Sequence, residues 1–259
     1  MSGTWVDRNK WFDSSFTTKR GFRVRSRTIR TEALPPSCKG VSLAFNGNTG
    51  QLRFEASFPK LIFGHNLSPL TANDFAKAVE TIDGIVAWSL TDWAGRPFAQ
   101  APSCLNWDVC RADIPFDFRP RGIPFGAALE ALLALRPGAG RLHTQVFDQQ
   151  TALHHNGGRD RAFEICIYNK SAEAAANAPN VAPGRAPIIR IEVRLKNADS
   201  VRRALRMEIS PTLAELAVPS QLRRVLIEKL AVLGLHDNVQ TVVSGLDELV
   251  AREIGRAHV

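Results

Sequence analysis

Apolar and polar residues alternate with period two over Asp108–Phe118, where Cys110, Ala112, Ile114, Phe116 and Phe118 take one side and Arg111, Asp113 and Asp117 the other. Alternation of that kind marks a half-buried β-strand, and Pro115 predicts an edge or bulged position because it cannot donate to a ladder. The pattern recurs over Phe163–Lys170, with Ile165 and Ile167 inward, and over Ile188–Lys196, with Ile189, Ile191, Val193 and Leu195 inward. Upstream, Gly40–Asn46 and Gln51–Phe58 read as two strands joined by Gly47-Asn48-Thr49-Gly50, residue types suited to a tight hairpin turn. Lys19–Arg30 is a further candidate strand.

Helical spacing replaces alternation at three places. Thr71–Ile82 starts on Thr with Asp74 three residues on, a capping-box pattern, and Phe75, Ala78, Val79 and Ile82 make its apolar stripe. Ile123–Leu135 is rich in Ala and Leu and stops before Pro137-Gly138. From Thr212 onward the pattern is helical, strongest over Ser220–Leu233 with Ser220 as N-cap. Ser171–Pro187, rich in Ala, Pro and Asn, and the pair His154-His155 are expected in loops. The order predicts an α+β fold, a largely antiparallel sheet with helices on one face followed by a helical C-terminal segment. Residues 1–210 are expected to form the main domain and 211–259 that segment. Glu253–Val259, back-translated, matches a common sequencing-library adapter, so those residues are set aside and the natural chain is expected to continue.

Composition narrows the class. The chain has 259 residues, 44% hydrophobic and 22% charged, which suits a globular protein with a real core. No apolar run approaches the roughly twenty residues that cross a bilayer, and the start lacks an apolar signal core. A cytoplasmic protein without a membrane partner is therefore expected. Its four cysteines follow no metal-finger spacing and are expected as thiols. A net charge of +8 points to a polyanion, nucleic acid first. In Lys19–Arg30, Arg23, Arg25 and Arg27 share one strand face, either as a solvated edge or as contacts to DNA phosphates.

The sides opposite the inward residues carry reactive types: Arg111, Asp113 and Asp117; Glu164, Tyr168 and Lys170; Arg190, Glu192 and Arg194. If those strands are neighbours, acids, cations and a phenol share one sheet face. That face is either the ordinary wet side of an antiparallel sheet or a site. As a site, Asp113 and Glu192, with Asp117, would hold Mg²⁺ or Mn²⁺ through carboxylate oxygens. Tyr168, the chain's one tyrosine, would attack phosphorus, with Lys170 lowering the phenol's pKa or steadying the phosphorane.

Four strings resemble, in order, segments of the filamentous-phage gene II-type rolling-circle replication initiators. They are Glu55–Asn66 (EASFPKLIFGHN), Cys110–Phe118 (CRADIPFDF), Phe163–Glu173 (FEICIYNKSAE) and Ile188–Lys196 (IIRIEVRLK). The resemblance covers roughly Gln51 to Lys196. It implies a nicking-domain fold and site-specific nicking of one strand of a double-stranded phage or plasmid origin, with a 5′-phosphotyrosine link and later rejoining of the displaced single strand. It implies Tyr168 as nucleophile, Lys170 beside it, and Asp113 and Glu192 as metal ligands. His65 and Asn66 match the family's Gly-His-Asn and, with Arg111, Arg190 and Arg194, are candidate DNA contacts. A bacterial host, with its helicase and polymerase as partners, follows. The alternatives are a non-catalytic DNA-binding regulator built on the same fold and a hydrolytic nuclease that leaves no adduct.

Overall fold

The computed structural model describes residues 11–17, 23–29, 41–46, 49, 51–68, 70–90, 100–135, 142–147, 151–156, 162–177 and 187–233. It divides into two compact units, Met1–Cys104 and Leu105–Val259. The division falls far upstream of the expected boundary at residue 210.

In the first unit, β1 (Trp11–Thr17), β2 (Arg23–Ile29), β3 (Ser42–Asn46) and β4 (Gln51–Glu55) form an antiparallel sheet in that order. The predicted β3–β4 hairpin is present. Its second strand stops at Glu55, three residues early, because Pro59 stands in the first turn of a short helix, α1 (Phe58–Phe63). The strand β2 is paired on both sides, by β1 and β3, so the expected edge position for Arg23, Arg25 and Arg27 is corrected: they occupy alternate positions of an internal strand, opposite Thr17, Ser15 and Asp13. The capping box at Thr71 opens α2 (Ala72–Ser89): the Thr71 hydroxyl accepts from the Asp74 amide at 3.2 Å and Asp74 accepts from the Thr71 amide at 3.1 Å. Its stripe of Ala78, Val79, Ile82, Ile85 and Val86 is buried.

The second unit is built on a five-stranded sheet of β5 (Ala112–Phe118), β6 (Leu142–Phe147), β7 (Thr151–Asn156), β8 (Phe163–Asn169) and β9 (Ile189–Leu195), in the order β5-β9-β8-β7-β6. All its neighbours are antiparallel. Pro115 accordingly lies in an outer strand, β5. The other outer strand, β6, leaves Val146 and Phe147 exposed. The β6–β7 hairpin occupies a stretch where no strand is expected from the sequence, and His154 and His155 lie in β7 rather than in a loop.

Alternation sends Ala112, Ile114, Phe116, Ala152, Ile165, Ile167, Ile191, Val193 and Leu195 into one buried cluster. Helices α3 (Phe125–Leu133), α5 (Ala198–Leu205), α6 (Leu213–Leu216) and α7 (Pro219–Leu230) supply the rest of it, through Leu129, Leu133, Val201, Leu205, Leu216, Val225, Leu226 and Leu230. Because α6 and α7 complete the core under the sheet, they belong to the same unit as the strands. The expected N-cap of α7, Ser220, lies inside the helix; Val218 is the cap and Pro219 the first helical residue. An eight-residue helix, α4 (Lys170–Asn177), replaces the start of the expected loop, and residues 178–186 of that loop lie outside the described residues. Among the described residues no helix is long and apolar enough to cross a membrane.

Candidate active site

Because β9 lies between β5 and β8, the three polar strand sides become one face. Register sets its rows. Asp117, Arg190 and Tyr168 line up across β5, β9 and β8; Pro115, Glu192 and Cys166 form the next row; Asp113, Arg194 and Glu164 the one beyond. Thr151 of β7 continues the first row beside Tyr168.

In the first row, the Arg190 guanidinium donates from Nε to Asp117 Oδ1 at 2.5 Å and from Nη2 to Asp117 Oδ2 at 2.6 Å. Arg190 is 5% exposed. Burial works against its charge, but the hydrogen bonds and charge of Asp117 outweigh that and hold it above its ordinary pKa. Tyr168 is half-buried and lies beside the same guanidinium, opposite Arg190 in the register. Burial is the main cause pushing its phenol above the ordinary tyrosine value, the nearby Glu192 carboxylate the second, while Arg190 pulls the other way.

Alternation predicts Lys170 on the strand, two positions beyond Tyr168. The strand ends instead at Asn169 and Lys170 opens α4, its amide still donating to Ile188 O at 2.9 Å. Its side chain is 0% exposed, pairs with Glu173, and lies with Nζ 5.9 Å from the centre of the Tyr168 ring. Burial holds this ammonium below its usual pKa, with Glu173 opposing and Arg190 reinforcing the shift. The turn into helix therefore folds the cation back over the phenol.

The three candidate metal ligands separate. Glu192 sits diagonally beside Tyr168, close enough to act on its pKa, and both hydrogen bonds from Arg194, at 2.8 and 2.6 Å, go to its Oε2. Asp117 is on the Tyr168 row, two strands away, about 10 Å between backbones. Asp113, on β5, is opposite Arg194, four residues along β9 from the tyrosine row, and so two strands across and about 16 Å from Tyr168. It pairs with Arg111 at 3.2 and 2.9 Å on the rim. Among the described residues no three His, Cys, Asp or Glu side chains gather closely enough to hold a metal alone. Magnesium does not need such a cage: it usually takes one or two carboxylates and completes its shell with water and substrate phosphate oxygens. The hard carboxylate of Glu192, next to the phenol and with one oxygen outside its pair with Arg194, fits that kind of ion.

Residues to which the sequence assigns no role in the site complete the face. Glu173 orders Lys170 and is hidden in what reads as a loop. Glu164, 5% exposed, pairs with Lys196 at 3.0 Å. Cys166, buried between Tyr168 and Glu164 on β8, has its thiol pushed up to about 11, chiefly by burial.

The remaining candidates belong to the first unit. His65 follows Gly64, whose φ of 74° ends α1 in the left-handed region that glycine favours. The ring of His65 stacks on Phe63, and its Nδ1 accepts from the Leu67 amide at 3.2 Å. Asn66 lies beside it in the same turn. Arg23, Arg25 and Arg27 are placed by the backbone register of β2 alone.

A family model for the N-terminal region of the replication-associated gene II protein matches residues 15–215. No curated protein and no solved structure matches the chain.

Proposed function

The chain belongs to the family of the replication-associated gene II protein N-terminal region, the gene II-type rolling-circle replication initiators, and on that premise we propose that it nicks one strand of a double-stranded phage or plasmid origin through Tyr168. The grouping of a phenol, a buried arginine on its row and a buried lysine from α4, beside Glu192, carries this reading.

Tyr168 Oη attacks the scissile phosphorus, and the bond from phosphorus to the 3′ oxygen breaks. The 5′ phosphate becomes a phosphotyrosine and the 3′ oxygen leaves as a hydroxyl. The proton lost by the phenol equals the one gained by that oxygen, so no further reactant is consumed, and the same bond exchange in reverse rejoins the displaced strand. Transesterification keeps the phosphate in an ester, which a hydrolytic nuclease would not.

The phenol's raised pKa means that it is protonated at neutral pH in the free protein. Arg190, the cation beside the phenol, favours the phenolate as the proton leaves. Lys170 offers a second positive charge where the phosphorane gathers negative charge. A divalent cation, Mg²⁺ or Mn²⁺, held by Glu192 with Asp113 as candidate second ligand, would polarise the phosphodiester and offset the Glu192 charge beside the phenol. Arg111 and Arg194, with Arg23, Arg25, Arg27, His65 and Asn66 of the first unit, are the proposed backbone contacts that hold the DNA, making binding salt-dependent. Host helicase and polymerase are the partners such a nick requires.

Incubation with an origin-bearing supercoiled plasmid and Mg²⁺ tests this. Relaxed circles carrying covalently bound protein are expected, and Tyr168→Phe removes the adduct while binding persists. Relaxed circles without protein would support hydrolysis instead, and binding without relaxation would support the regulator.

A further inference from the structure

Resting on the reading of Tyr168 as nucleophile, we propose that Asp117 is a positioning residue that locks the Arg190 guanidinium against the phenol, and that it is not a ligand of the cation. The three carboxylates of the face differ in what their oxygens do. Asp117 accepts with both oxygens from one guanidinium, Oδ1 from Nε and Oδ2 from Nη2. Glu192 accepts both bonds from Arg194 through Oε2 alone, so its second oxygen is outside that pair. A cation binding at Asp117 would compete with Arg190 for the two oxygens that the fork engages and would bring a second positive charge up to a guanidinium that is only 6% exposed, where water screens little of the repulsion. At Glu192 the paired arginine, Arg194, is more exposed, at 28%, and one carboxylate oxygen lies outside the pair.

The bidentate fork also fixes orientation. A guanidinium is planar, so two parallel hydrogen bonds to one carboxylate set both its position and its tilt. Arg190 stands between Asp117 and Tyr168 in the register, so the guanidinium that Asp117 holds is the one beside the phenol. The charges around Tyr168 are Arg190 and Glu192 on β9, Asp117 on β5 beyond, and Lys170 and Glu173 on α4, while β7 sets the uncharged Thr151 opposite it. Asp117 is the one among them that reaches the phenol only through another side chain.

The experiment compares Asp117→Asn with Glu192→Gln in single-turnover nicking of the origin plasmid across a Mg²⁺ titration. Asp117→Asn is expected to slow nicking by about 10- to 100-fold with half-saturating Mg²⁺ and DNA affinity within about twofold of the parent. Glu192→Gln is expected to raise half-saturating Mg²⁺ about tenfold or more. Asp117→Glu should recover part of the rate, and Arg190→Lys, which keeps the charge but loses the fork, should not. If Asp117→Asn fails to fold, as judged by near-ultraviolet circular dichroism, the pair Asp117→Leu with Arg190→Met removes both charges together and is read by the same two measurements. A raised Mg²⁺ requirement in the Asp117 variants, or an unchanged rate, overturns the inference. A covalent adduct that survives Tyr168→Phe overturns the nucleophile reading instead, so the two failures are told apart.

Discussion

The two faces of the five-stranded sheet are made by the same strands, and they use burial in opposite ways. On β8, Ile165 and Ile167 are fully buried against helices, while Glu164, Cys166 and Tyr168 between them look to the other side. Burying an isoleucine releases apolar surface from water and stabilises the fold. Burying Glu164, Arg190 and Lys170 costs desolvation energy that their partners only partly offset. A sheet needs one apolar face to fold. It does not need three nearly dry charged side chains on the other, and the proposed nicking chemistry gives them a reason to be there.

Substitutions on the two faces should separate activity from stability. Tyr168→Phe sharpens the contrast most: loss of the covalent DNA adduct below detection, with a thermal midpoint equal to or above the parent's, because the ring is kept and a partly buried hydroxyl removed. A midpoint drop as large as that of a core truncation would place the ring's role in packing. Next, Ile167→Ala should cost about 2–5 kcal/mol in denaturant unfolding, with nicking by the folded fraction retained. Third, Cys166 gives a pH test. Its folded pKa is raised from 9.0 to about 11, so the unfolded chain gives up the proton first. The stabilisation is complete below pH 9 and is lost as pH rises through about 11. Cys166→Ala should therefore flatten the fall in urea midpoint between pH 8 and pH 10 that Ile165→Val leaves in place; an unchanged slope assigns that fall to another group. The smallest effect is expected at Asn197, whose side chain accepts from the Ser200 amide at 2.8 Å to start α5. Asn197→Ala should cost about 1 kcal/mol and leave nicking rate per folded molecule unchanged.

Much of this face is legible in the sequence because alternation is local. Each of the strands around Ile114, Ile165 and Ile191 announces its own inward and outward residues, and the outward sets already contain Asp117, Tyr168, Arg190 and Glu192. Register is not local. Nothing within Asp108–Phe118 says whether Asp113 or Asp117 faces the tyrosine row; pairing Asp117 with Arg190 rather than with Arg194 decides it, and that is fixed by tertiary packing. The β6–β7 hairpin is hard to read because its side chains, among them His143, Thr144 and Gln145, are polar and its strand β6 mostly exposed, leaving little apolar period. Lys170 reads as strand because Tyr-x-Lys continues the alternation. The helix beginning there depends on Glu173 and the alanines after it, in a stretch whose prolines suggest a loop. Similarly, Pro59 is legible as a strand breaker, yet the alternation that runs on to Phe58 masks where β4 ends.

The two margins of the sheet differ in a way that bears on how copies of the chain meet. Pro115 sits in β5 without an amide hydrogen, so an extended segment approaching that margin finds a missing rung. The β6 margin has no proline and displays Val146 at 47% and Phe147 at 46% exposure. Unwanted stacking of molecules strand to strand at high concentration should therefore begin at β6, and a lysine placed at Val146 is the simplest way to keep preparations monodisperse.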